Sequence, residues 1–263
     1  MGNAVYGLRS APEVRAMMRQ GVSAPTQGVC EGNVQANLAI LPKQYAYDFL
    51  LFCYRNPKPC PILDVTDPGS PTTRLAKGAD LRTDLPKYRV YESGNYVAEV
   101  TDISTYWSSD LVAFVIGCSY TFEAALLAGG VPVRHIEQGT VVPMYTSNIQ
   151  CAPAGVFSGP TVITMRPIPY ELVTKAVQIT SRYPGVHGAP VHIGDPAHVG
   201  VDLNKPEYGG QLSEIRKGET PVFWACGVTP QAVAQKSKIP LMITHAPGHM
   251  FITDIRNEHL AAL

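Results

Sequence analysis

Six consecutive apolar residues, Leu111-Val112-Ala113-Phe114-Val115-Ile116, run into Gly117-Cys118-Ser119. A run this short and this uniform fits a strand covered on both faces, as in a parallel sheet. Ser119 caps a following helix with Phe122, Ala125, Leu126 and Gly129 as its packed stripe, and Val131 to Ile136 reads as a returning strand. The same grammar recurs late in the chain. Pro221 to Ala225 is a strand, Cys226-Gly227-Val228 a turn, and Pro240 to Thr244 a strand that runs into His245. Between them Thr229-Pro230 opens a helix, with Thr as N-cap and Pro in the first helical position. Cys118 precedes Pro132 by the same interval as Cys226 precedes Pro240. Two such units predict a weak internal duplication; the competing reading is chance, because strand–helix–strand units are common in α/β folds.

The remaining punctuation is conventional. Ser10-Ala11-Pro12-Glu13 is a capping-box start for a short helix that stops at Gly21. Pro42 to Tyr54 reads as a helix, halted by the prolines at 57, 59 and 61. Strands are expected at Ile62–Val65, Tyr88–Tyr91, Tyr96–Val100, Val141–Tyr145 and Thr161–Arg166, and a helix at Glu171–Tyr183. Residues 1–136 and 216–263 are expected to form a larger α/β domain with a mostly parallel sheet, and 137–215 a smaller inserted α+β domain.

Charge and composition exclude several classes. The chain has 21 basic and 21 acidic residues and no Lys/Arg run, so no nucleic-acid partner is expected. Charged residues are only 16%, which suits a chain that buries much of its surface in a homo-oligomer. No apolar h-region opens the chain and no apolar run is long enough to span a bilayer, so a cytoplasmic protein without membrane contact is expected. The six cysteines form no C-x-x-C pair and read as reduced thiols. No P-loop, no G-x-G-x-x-G after a strand and no G-x-S-x-G occurs, so neither a nucleotide cofactor nor serine-hydrolase chemistry is expected.

Candidate chemistry gathers at the expected carboxyl edge of the sheet. Cys118-Ser119 and Cys226-Thr229 sit at helix N-termini, where N–H groups favour an anion. The plainer reading of each Cys is a buried thiol that packs. His245 and His249 are four apart, but Pro247 and Gly248 preclude the helix that a zinc-protease motif needs, and no metal is expected. His245 is instead a candidate acid/base, oriented by Asp254 or Asp195. His187 and Asp195 stand in a second rigid Gly/Pro/His loop, from Tyr183 to Asp195. Arg82 or Arg166 is the candidate grip for a substrate carboxylate, the alternative for each being an ion pair with a nearby acid.

Three segments toward the N-terminus, Gln35–Pro42, Phe52–Pro61 and Asp80–Pro86, form a specific combination with the His187–Pro196 loop, Phe223-Trp224-Ala225-Cys226-Gly227-Val228-Thr229-Pro230-Gln231 and His245–Met250. Together they resemble the D-glutamate cyclase family over nearly the whole chain, from about Gly21 to Asp254. Tyr54 stands where the family pattern has Gln, and Cys30-Glu31 where it has Ala-Pro. The resemblance implies a three-layer α/β domain plus a smaller two-layer α+β domain. It also implies hydro-lyase chemistry on a small carboxylate or amino acid, D-glutamate to 5-oxo-D-proline and water in an animal relative. A carboxylate-binding or regulatory module without turnover is the alternative.

Overall fold

The computed structural model describes residues 2–262. In chain order the helices are α1 (Gly2–Tyr6), α2 (Ala11–Arg19), α3 (Lys43–Arg55), α4 (Tyr120–Ala128), α5 (Arg134–Glu137), α6 (Val173–Ser181) and α7 (Thr229–Ser237). The strands are β1 (Asn33–Pro42), β2 (Ile62–Val65), β3 (Tyr88–Glu92), β4 (Asn95–Val100), β5 (Leu111–Gly117), β6 (Met144–Gln150), β7 (Pro160–Pro169), β8 (His192–Ile193), β9 (Glu219–Ala225), β10 (Leu241–His245) and β11 (Phe251–Arg256).

They form two sheets. The first has seven strands in the order β2-β5-β1-β10-β3-β4, with β11 added to β1; the second has four, β6-β7-β9-β8. Every pairing is antiparallel. The expectation of a three-layer domain with a mostly parallel sheet is therefore wrong. The reason lies in what an apolar run reports. All seven residues of β5 are buried, as expected of a strand covered twice, but coverage carries no information about the direction of its neighbours. One face of the first sheet meets α3 and α7, through Phe49, Phe52, Val233 and Ala234. The other meets the irregular segments before β3 and after β4, through Ala76, Ala79, Leu81, Leu85 and Ile103. The second sheet packs α4 and α6 on one face around Trp224, and Val199 and Val201 on the other.

The expected strand–helix–strand units are also corrected. After α4 the chain forms no strand at 131–136; Val131 and Val133 pack into the α4–α6 core and residues 134–137 make a single helical turn. Pro132 lacks a donor, and Gly130 and Gly139 turn the chain on either side with positive φ. The late unit exists but spans both sheets, because β9 belongs to the second and β10 to the first. A cross-over results. β5 of the first sheet leads through α4 to the second, and β9 of the second leads through α7 back to the first, each helix packing against both sheets. β9 also lies beyond residue 215, the expected end of the smaller unit.

Other local expectations are met. The Ser10 N–H donates to Glu13 Oε2 at 2.8 Å, and α3 ends where the prolines begin. Central strand β1 is the main omission of the sequence reading: the amides Gln35 and Asn37 interrupt its apolar residues, yet both are buried. Among the described residues no helix is long and apolar enough to cross a membrane.

Candidate functional site

The cross-over brings the two Cys turns together. Cys118 and Cys226 belong to one apolar cluster with Val142, Met144, Val162, Val228 and Met250. Asn37, from the middle of β1, bridges the turns. Its Nδ2 donates to the Gly117 carbonyl at 2.6 Å, and a Cβ on Gly227 would fall 1.9 Å from that nitrogen. Only glycine permits so close an approach. Thr229 ties the start of α7 to β7: its Oγ1 accepts from Val162 N–H at 3.0 Å and donates to the Cys226 carbonyl at 2.8 Å. It occupies the first helical position rather than the cap, with Val228 before it.

Both thiols are shielded. Burial pushes the Cys226 thiol up to about 11, against partial relief from the Val228 N–H and Arg166. Burial raises the Cys118 thiol further, although the Tyr120 N–H opposes it. The thiolates that a helix N-terminus favours are thus absent at neutral pH. All the other cysteines except Cys30 are buried as well. One thiol per native chain, Cys30, is expected to react with a disulfide reagent at pH 8, and all six after unfolding. A rapidly reacting second thiol in the native protein would contradict this.

Beside the cysteines lies a fully buried ionic cluster. Arg166 donates from Nε to Glu123 Oε1 at 3.0 Å, from NH1 to Thr164 Oγ1 at 3.0 Å and from NH2 to Ser119 Oγ at 3.0 Å. A second NH2 donor reaches Glu123 Oε1. The guanidinium sits 5.4 Å from the ring centroids of both Phe122 and Trp224, which adjoin each other, so its charge is held by acceptors at the edge and by a pair of neighbouring rings on one side. His135 Nε2 is 3.1 Å from the same Glu123 oxygen, although neither ring nitrogen meets hydrogen-bond alignment. Burial raises the Glu123 carboxyl, but His135 and Arg166 outweigh it and hold the group below its ordinary range. A buried carboxylate is therefore kept ionised one turn into α4, with a histidine beside it.

The other expected site residues are employed elsewhere. Arg82 forms an ion pair with Asp80 at 2.6 Å. Asp254 faces Arg15 at 2.8 Å and accepts the Lys77 N–H at 2.8 Å, so it does not orient His245. Asp195 is exposed and caps a short turn through Ala197 N–H at 2.9 Å. His249 Nδ1 lies 2.9 Å from the Pro247 carbonyl. His187 approaches the cluster most closely of these: its φ is 85°, its Nδ1 lies 2.6 Å from the Lys58 carbonyl, and Arg166 and the Gly117 carbonyl both act on its ring.

His245 is part of the sheet rather than a free base. β10 parts from β1 beyond Ala39↔Thr244, and the ring fills the gap, with Nδ1 accepting the Leu38 N–H at 3.2 Å. Its Nε2 is buried without a partner. Burial lowers its pKa to about 3, and that of His187 to about 4. Both are neutral in the fold, whereas in the unfolded chain they take protons near pH 6.5. The unfolded state then binds more protons below that pH, so this stabilisation, complete above about pH 6.5, is lost as the pH falls toward the folded values. Unfolding free energy is expected to drop by about 1 kcal/mol or more per histidine per pH unit between pH 6 and 5. A urea midpoint unchanged from pH 7 to pH 5 would refute it.

The structure thus gathers Cys118, Ser119, Arg166, Cys226 and Thr229, with His187 nearby. Asn37, Glu123 and His135 belong with them and are not among the candidate site residues of the sequence. One signal for Glu123 was available: a Glu adjoining Phe122 in the packed stripe of a short helix.

The chain is similar to several known proteins. The family model described as D-glutamate cyclase matches residues 112–254, which include Ser119, Glu123, His135, Arg166 and both Cys turns. A protein of Thermoanaerobacter sp. strain X514, named "putative hydro-lyase", is 63% identical over 252 residues, covering 95% of each chain. Proteins with the same designation from Stutzerimonas stutzeri and Bacillus subtilis are 59% identical over the full length of both chains and 58% identical over 95% of this chain and 98% of that one. A solved nitrogen repressor-like protein of Methanococcus jannaschii aligns over 92% of this chain and 98% of its own, with TM-score 0.39 and 12% identity, and carries no assignment. With identity this high over nearly the whole length, the chain belongs to the D-glutamate cyclase family.

Proposed function

We propose that the protein is a hydro-lyase that removes water from a small amino acid bearing a second carboxylate, with D-glutamate to 5-oxo-D-proline as its reaction. The observation that carries this reading is the ionised, buried Glu123 between Arg166 and His135, in a chain whose relatives bear the hydro-lyase name.

Cyclisation forms a bond from the amine nitrogen to the carbon of the γ-carboxylate (Cδ) and breaks one of that carbon's bonds to oxygen. Two ammonium protons leave with that oxygen as water, and one remains on the lactam nitrogen. The Glu123–His135 pair is suited to take the first proton and return it to the leaving oxygen. The Ser119 hydroxyl, which accepts from Arg166 and so keeps its own proton to donate, suits the oxyanion of the tetrahedral intermediate. His245 does not serve as the base in this scheme: its ring is buried in the sheet and its Nδ1 accepts the Leu38 N–H.

The test is direct. Incubation with D-glutamate is expected to yield 5-oxo-D-proline, seen by mass spectrometry, at a rate proportional to protein concentration. If neither enantiomer of glutamate loses water, the reading fails. A raised melting temperature without product would favour the binding module instead.

A further inference from the structure

On the flank of α4, opposite the Arg166 contacts, residues 28–33 roof a cavity of about 20 Å³, room for one water-sized group. Its polar lining is made of acceptors. Gln35 Nε2 donates to the Thr26 and Val29 carbonyls at 2.8 and 3.0 Å. That fixes the amide's orientation and leaves Oε1 buried without a donor. Asn257 Oδ1 is likewise buried and unpartnered. Glu123 completes the set: the contacts from Arg166 and His135 all fall on Oε1, so Oε2 is the atom it has to offer. Gln35, Asn257 and Glu123 are 4%, 7% and 3% exposed. Buried acceptors without donors are rare in folded proteins, and two around one cavity, with the Glu123 carboxylate beside them, call for an occupant rich in N–H or O–H.

The cavity shares Cys30 and Glu31 with two wider recesses, of about 320 and 520 Å³. Arg9 lines both of these and Arg256 the second. Arg256 is loosely engaged, with contacts of 3.5 Å to Glu258 and Asn33. It lies over Gly32, where a Cβ would fall 2.6 Å from its guanidinium. The cleft therefore has acceptors and the Glu123 carboxylate at its deep end, and at its mouth the guanidinium groups of Arg9 and Arg256 beside the carboxylates of Glu31 and Asp254.

We propose that this cleft is an amino-acid site, seating a protonated amine among Gln35, Asn257 and Glu123 and an α-carboxylate against Arg256 and Arg9. An ammonium group brings three N–H donors to three acceptors. Arg166, on the far side of Glu123, keeps the surroundings from stabilising the ammonium charge strongly, which suits a nitrogen that must become neutral to attack. The inference rests on the reading of the protein as an amino-acid hydro-lyase and names the part of the molecule that recognises the amine.

The experiment compares D-glutamate with glutarate and N-acetyl-D-glutamate, which lack a protonated amine, by thermal shift on the intact protein, while 5-oxoproline is measured in parallel. D-glutamate is expected to bind at least about tenfold more tightly than either analogue. Asn257→Leu should abolish that preference, and Arg256→Gln should weaken all three ligands. If Asn257→Leu does not fold, Asn257→Asp replaces it and should strengthen the preference for the amine. Equal binding of glutarate and D-glutamate, no binding of any, or an amine preference untouched at Asn257 would overturn the proposal and leave the cavity to water. Product formation with KM unchanged in Asn257→Leu would sink the cleft and keep the hydro-lyase. Amine-selective binding without product would do the reverse.

Discussion

Arg166→Met is expected to destabilise the fold by about 3–5 kcal/mol, because it leaves the buried Glu123 carboxylate without its main partner. Met fills much of the volume beside Phe122 and Trp224, so most of the loss is electrostatic rather than a cavity. Three consequences separate this cause from a packing defect. Glu123→Gln added to Arg166→Met should recover part of the loss, since the uncompensated charge disappears. The deficit of the single variant should shrink as the pH falls from 7 to 5, because burial unopposed by Arg166 raises the carboxyl and lets it protonate. In the parent protein the sign is opposite. Glu123 is held below its ordinary range, so its contribution is present above about pH 4.3 and is lost as the pH falls through the folded value. Urea denaturation of the four proteins at both pH values measures all of this. A midpoint for Arg166→Met within about 1 kcal/mol of the parent would show that the cluster is not the keystone its geometry indicates.

The same cluster shows how far the sequence can be read. Most strands and helices announce themselves, because apolar runs, caps and prolines act within a few residues. What they leave open is direction. β5 is as buried as its composition demands, yet its neighbours β1 and β2 run against it, and nothing inside the hexapeptide distinguishes that from a parallel neighbour. β1 escaped because Gln35 and Asn37 are spent on other parts of the chain, on the Thr26 and Val29 carbonyls and on Gly117. A buried amide makes sense only once its distant partners are known.

The site residues divide in the same way. Ser119 and the two Cys turns could be picked out because helix N-termini have a local signature, whereas Arg166, in β7, stood out only as an arginine before Pro167. Glu123 and His135 did not stand out, because each gains meaning only through Arg166. Pairing His245 with Asp254 on nearness in sequence failed for a related reason: Arg15, near the start of the chain, holds Asp254 at 2.8 Å. The resemblance between the twin Cys units, expected to mark one sheet edge, turns out to join two different sheets. Their shared grammar is a cross-over, and the cross-over is what seats both turns against Asn37.

Glu123→Gln is expected to lower turnover of a verified substrate by about 10²–10⁴-fold, the usual contribution of a positioned acid or base. The change keeps the side chain's shape and one oxygen for Arg166 but removes the charge and the proton acceptor. Because it also leaves Arg166 buried without an anion, turnover has to be compared well below the variant's own melting temperature. A merely structural effect would then disappear, and a chemical one would not. The pH profile separates the two further. In the parent, kcat/KM should fall on the acid side as the Glu123 carboxyl protonates, at a pH below the ordinary carboxyl value given the direction of its shift. That limb should be missing from the residual activity of Glu123→Gln. His245→Gln provides the contrast. Its ring is neutral and tied to the Leu38 N–H, so the amide can replace it with a loss expected to stay within about tenfold, far short of a missing base. If instead His245→Gln abolishes turnover while Glu123→Gln retains it, the acid/base centre lies on β10 and the assignment to α4 is wrong.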